Sequence, residues 1–209
     1  MKKIVFIFFI LFTCISLNLI INQNNSKTVP TSKKKQEINT DIKGKIKIKN
    51  TTINSYILQS TNNEYYLNHN EKKEFDRKGS IFLDYRNHLN DKKLLIYGHN
   101  SQQGTAPLKE LENYLEKDYY DKNKEIIVTL NNKIYKYQIF SVIITKVGDN
   151  THTKLNFNKK EYQYHLSWIV KNSLYKTGII PSTKDHILMI QTCYYHPKNS
   201  YLLISAKRR

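Results

Sequence analysis

Hydrophobic positions along the chain fall into three regimes. From Ile4 to Ile21 they are almost continuous, behind Lys2 and Lys3; from Asn22 to about Asp41 they nearly vanish; beyond that they return in short runs between polar residues. The first regime is long enough to cross a bilayer core as a helix. No Ala-x-Ala pattern follows it, so residues 1–21 read as an uncleaved signal-anchor rather than a removed leader. Basic residues abut the apolar run only at its N-terminal end, which favours an N-inside orientation with the rest of the chain outside the cell. A simple charge count, with Lys27, Lys33, Lys34 and Lys35 on the far flank, points the other way. Residues 22–41 carry too little apolar surface to offset the entropy of ordering and read as a flexible tether. Residues 42–209 remain, enough chain for one domain with a proper core.

Within that domain the apolar runs are short and of β type, over residues 79–85, 93–98, 125–130, 133–147, 186–193 and 201–207. Asn131-Asn132 sits between two of them, and asparagine tolerates positive φ, so a two-residue hairpin turn is expected there. Two stretches have helical spacing. In residues 105–120, Leu108, Leu111 and Leu115 share one face; in residues 159–175, Tyr162, Leu166, Ile169 and Ser173 do, with Gly178 as the expected stop signal. Short strands dominate and helices are inserted between them, so the class is mainly β, with a closed or nearly closed barrel.

The net charge of +17, from 34 Lys+Arg against 17 Asp+Glu, together with 16 Tyr, raises nucleic-acid binding as a candidate. The lysines are scattered among Asn, Ile and Tyr rather than clustered, and the anchor places the domain away from nucleic acid. An anionic wall polymer or lipid headgroup is the more natural counterpart.

Chemistry narrows to a few residues. Of two cysteines, Cys14 lies in the anchor, so Cys193 has no partner for an internal disulfide. A strand-end thiol is most often a small buried hydrophobe; to act as a nucleophile it needs a nearby base and an open position. Among seven histidines, His99 follows a strand and Gly98, where its side chain can emerge at a barrel rim. His196 is near Cys193 in sequence, but a Cys193-x-x-His196 metal site lacks a second ligand pair. No metal or cofactor is expected.

The segments "YYLNHN", "GSIFLDYRN", "LLIYGHN", "YYDKNKEIIVTL", "YKYQIFSV", "SLYKTGI" and "ILMIQTC", in this order and spacing, resemble class B sortases from about Lys47 to the C-terminus. The resemblance implies a membrane-anchored cysteine transpeptidase of Gram-positive bacteria with an eight-stranded β-barrel, N-terminal helices and a helix before the penultimate strand. It implies that Cys193 attacks the Thr carbonyl of an NPQTN-like sorting signal and that His99 serves as general acid/base. The partners it implies are a sorting-signal-bearing surface protein or pilin and an amine of peptidoglycan or a pilin lysine, with membrane lipid around the anchor. Gln191, Thr192 and Asn100 are the expected cleft residues.

Two positions depart from the family pattern: Met189 replaces the first Thr of its "TLxTC", and Tyr201 occupies the place of its arginine at the start of the last strand. Arg208 and Arg209 lie at the far end of that strand, leaving Arg86, Arg77 and Lys198 as candidate replacements from loops. The alternative to an active enzyme is therefore a weak or inactive sortase-like binding module.

Overall fold

The computed structural model describes residues 39–102 and 104–209. The expected anchor, most of the tether and any family-type helix ahead of residue 39 lie outside these residues. Among the described residues no helix is long and apolar enough to cross a membrane.

Eight strands close into a barrel: β1 (Ile42–Ile48), β2 (Asn54–Leu58), β3 (Phe82–Leu83), β4 (Lys93–Tyr97), β5 (Glu125–Leu130), β6 (Lys133–Lys146), β7 (Ile187–Tyr194) and β8 (Ser200–Arg208). Their order around the barrel is β1-β2-β3-β4-β7-β8-β6-β5, with β5 returning to β1. The β2–β3 and β4–β7 pairs are parallel and the others antiparallel.

All six expected strand regions contain a strand, and β5 matches its expected limits. The turn at Asn131-Asn132 has φ of 48° and 60° at its two residues, as a type I′ hairpin requires. The strands β1 and β2 were not anticipated. Ile46 and Ile48 point into the core while Lys45 and Lys47 alternate with them, so the period-two signal was present but diluted by lysine.

Residues 105–120 differ from the expected single helix. They form a 3₁₀ segment (Lys109–Leu115) and then a six-residue helix, α1 (Lys117–Lys122). Glu116 between them is extended, with ψ of 123°, which interrupts the helix. The leucine face is nonetheless used: Leu108 and Leu111 are fully buried and Leu115 packs beside them.

The second expected helix is α2 (Lys159–Lys171). Asn158 and Glu161 form a reciprocal capping box at its start. Its end is set by Asn172, whose N–H bonds the Trp168 carbonyl, not by Gly178, which takes φ of 77° in the following loop. Ser173 lies past the helix, and its Oγ accepts from the Val142 N–H.

Two hydrophobic layers follow from strand alternation. Inside the barrel, residues such as Ile46, Val128, Val142, Ile190, Leu202 and Ile204 form the main core. Outside it, Leu95, Met189 and Leu203 meet Tyr162, Leu166 and Ile169 of α2. Burying each of those three helix side chains contributes roughly 1.5–3 kcal/mol. This explains why Ile187–Ile190 is apolar at every position: β7 is covered on both faces. Past Ile190 the outward positions of β7, Gln191 and Cys193, are only partly buried.

Candidate active site

The site is built on the parallel β4–β7 pair. Leu95 stands beside Met189 and Tyr97 beside Gln191 in the ladder. Side chains alternate along each strand, so the next outward-facing position on each is His99 and Cys193. Two bonds carry the alignment past the last rung. Thr192 Oγ1 donates to the Gly98 carbonyl at 2.7 Å, and Asn100 Nδ2 donates to the Cys193 carbonyl at 2.9 Å. His99 is thus held between two direct links to the Cys193 strand. Gly98 is required for this close fit, because a Cβ there would lie 2.7 Å from Leu108 Cδ1.

The imidazole of His99 is oriented by Leu67, whose carbonyl oxygen lies 2.7 Å from Nε2. A carbonyl only accepts, so Nε2 carries a proton and, in the neutral ring, Nδ1 keeps its lone pair. Cys193 is half-buried, and burial pushes its thiol above the ordinary pKa, so sulfur is protonated at neutral pH.

Directly across from Cys193 on β8 is Tyr201, on the same face and partly buried against the outer layer. The loop candidates for a replacement cation are placed differently. Arg86 forms a bidentate pair with Asp84, Nε to Oδ1 at 2.9 Å and Nη2 to Oδ2 at 2.8 Å, and also donates to the Thr153 carbonyl. Burial alone would raise the Asp84 carboxyl; the Arg86 hydrogen bonds outweigh it and hold the pKa below the ordinary value. Arg77 is exposed in the turn that precedes β3, and Lys198 is exposed in the β7–β8 turn, as is His196.

The three expected cleft residues separate. Gln191 faces outward on the Cys193 side and is half-exposed. Thr192 and Asn100 are 2% and 3% exposed and serve as braces. Asn100 links three elements: Nδ2 also donates to Glu112 Oε1 at 2.6 Å, and its carbonyl accepts from the Tyr195 hydroxyl at 3.0 Å.

Residues not singled out from sequence complete the floor. The Tyr97 hydroxyl donates to Asp84 Oδ2 at 2.9 Å. His152, in the 3₁₀ turn Thr151–Thr153, places Nε2 2.7 Å from Gln191 Oε1. Beneath it Lys93, fully buried, donates to the carbonyls of His152 and Lys154 and meets His165 Nε2 at 3.0 Å. Burial, with Arg86 nearby, pulls the Lys93 pKa down to about 7, although three acceptors around Nζ favour its charged form. Local sequence holds no signal for this cluster, whose members are some 40 to 70 residues apart. Among the described residues no group of His, Cys, Asp and Glu is arranged to hold a metal ion.

Comparison with known proteins bears on the family and the fold. The sortase domain family matches residues 46–209. Sortase B of Staphylococcus aureus is 33% identical over 180 residues, covering 84% of this chain and 72% of that protein. The solved structure of Clostridium perfringens sortase B superimposes with a TM-score of 0.78 at 32% identity, covering 83% of this chain and 97% of that one. A Staphylococcus aureus sortase B–substrate complex gives 0.76 at 33% identity, with 83% and 82% covered. The barrel order, the paired ends of β4 and β7 and these similarities lead to one assignment: the chain belongs to the class B sortases.

Proposed function

We propose that the protein is a cysteine transpeptidase that cleaves an NPQTN-like sorting signal after its Thr and passes the acyl group to an amine of peptidoglycan or of a pilin. The observation that carries this reading is the bracketing of His99 by two hydrogen bonds to the strand that bears Cys193. Attack by Cys193 sulfur on the Thr carbonyl forms a C–S bond and, as the tetrahedral centre collapses, breaks the amide C–N bond. The thiol proton passes through the His99 imidazole to the departing amine. In the second half an acceptor amine attacks the thioester, His99 removes its proton, and the thiol is restored. Tyr201, the ladder partner of Cys193, would supply the β8 side-chain donor to the developing oxyanion. The apolar run Ile4–Ile21 would hold the enzyme at the outer face of the cell membrane, near both substrates.

Incubating the full-length protein in detergent with a sorting-signal peptide and triglycine tests the proposal by mass spectrometry. Wild type is expected to yield cleaved and transferred product, and Cys193→Ala and His99→Ala none. Unchanged turnover in Cys193→Ala would remove the assignment. A second reading, a sortase-like module that binds the signal without cleaving it, draws on Tyr201 standing opposite Cys193 where the family pattern has arginine. Peptide binding with neither adduct nor cleavage would favour it.

A further inference from the structure

The His152–Gln191 contact has the marks of a built device. His152 is fully buried, yet its turn is fastened on two sides: Lys93 Nζ donates to the His152 carbonyl, and Arg86 Nη2 donates to the Thr153 carbonyl at 3.0 Å. The turn is closed by Thr153 N–H to the Asn150 carbonyl at 3.0 Å, and its entry by Thr151 N–H to Asp149 Oδ1 at 3.0 Å. The ring lies 5.8 Å from that of Tyr201, edge-on. Burial lowers the His152 pKa, so the imidazole is neutral and shares its Nε2 proton with Gln191 Oε1. With that oxygen engaged, the Gln191 side chain is oriented, and its Nε2 amide hydrogens have no hydrogen-bond partner among the described residues.

We infer that His152 is a positioning residue that turns the amide N–H of Gln191 toward the bound peptide, where it donates to a backbone carbonyl on the acyl side of the scissile bond. Gln191 precedes Cys193 by two residues on the same face, about 6.6 Å back along the strand, the repeat of an extended peptide lying over β7. In the other direction β7 runs into its turn to β8 and supplies no floor. Fixing the side chain in advance saves the entropy of ordering it on binding. The inference deepens the transpeptidase reading and rests on it.

The test uses the full-length protein in detergent. His152→Phe keeps a ring and removes the donor, His152→Gln restores a donor, and Gln191→Leu removes the recognition group from a half-exposed position that tolerates the change. His152→Phe and Gln191→Leu are each expected to raise KM for the sorting peptide about 5- to 10-fold, the scale of one hydrogen bond, with kcat within about 2-fold. The two changes together should do no more than one alone, and His152→Gln should recover most of the loss. Additive effects, or an unchanged KM, would overturn the inference.

A second readout does not depend on turnover. In 15N-labelled Cys193→Ala protein, the Gln191 side-chain amide resonances are expected to shift when peptide is added; binding that leaves them unmoved also overturns the inference. If those resonances shift while wild type fails to cleave, only the transpeptidase reading falls. If no resonance shifts and wild type fails to cleave, both fall.

Discussion

Cys193 and Tyr201 stand directly opposite each other across the antiparallel β7–β8 ladder. Opposed residues share a face with Cβ atoms about 4.5–5.5 Å apart, so the phenol is the lateral neighbour of the sulfur. A phenolic hydroxyl can donate to an oxyanion, but it lacks the charge and the forked reach of a guanidinium. Tyr201→Phe is expected to lower kcat at least about 10-fold, less than the roughly 100- to 1000-fold typical for loss of a strong oxyanion donor. Tyr201→Arg should raise it. Steady-state rates on one sorting peptide decide; equal rates for all three would mean that position 201 takes no part in the transition state.

The Cys193 thiol should be slow to alkylate at neutral pH. Burial raises its pKa, and only the thiolate attacks iodoacetamide. The rate should therefore keep rising beyond pH 9. A plateau reached below pH 8 would contradict the neutral resting thiol.

Asn100 ties the His99 loop to the strand of Cys193, so its loss should be felt in both stability and rate. Asn100→Ala leaves the part-buried Cys193 carbonyl without this donor and Glu112 with Lys109 alone, a loss of about 1–2 kcal/mol. Asn100→Asp should be worse, because its carboxylate would sit about 2.6 Å from that of Glu112. Thermal unfolding orders the three proteins as wild type, Ala, Asp; a more stable Asp variant would contradict the assigned geometry.

Acid should destabilise the domain well above the range where carboxylates titrate. His165 is buried and faces Lys93, and its pKa is pushed down to about 3 from an ordinary 6.5. The unfolded chain therefore takes up a proton that the folded one refuses as pH drops through 6.5. Stability from this group is complete above 6.5 and falls by about 1.4 kcal/mol per pH unit until about pH 3. Chemical denaturation at pH 7 and pH 5 measures it, and His165→Phe should flatten the slope.

How far sequence reaches is clearest where local and long-range causes part. The limits of β5 were legible because Ile126, Val128 and Leu130 alternate with half-exposed neighbours. The Asn131-Asn132 turn was legible from φ preference alone. That positions 99 and 193 each lie at the end of a strand was legible because each closes an apolar run. By contrast β1 hid among lysines, and it becomes a strand through pairing with β2 and β5. Lys93 and His152 carry no periodic or motif signal; their burial depends on α2 and the 151–153 turn closing over β4 and β7. Thr192 and Asn100 were read as cleft residues from their neighbours in sequence, but strand alternation turns Thr192 inward, and Asn100 is spent on Glu112 and Cys193.

The parallel β4–β7 pairing has a mechanical consequence. His99 and Cys193 leave their strands at the same end of one five-rung ladder, so breathing of the barrel carries both groups together. Sliding them apart would mean shearing every rung at once. The spacing of positions 99 and 193 is therefore set by backbone pairing rather than by the loops that lead away from it.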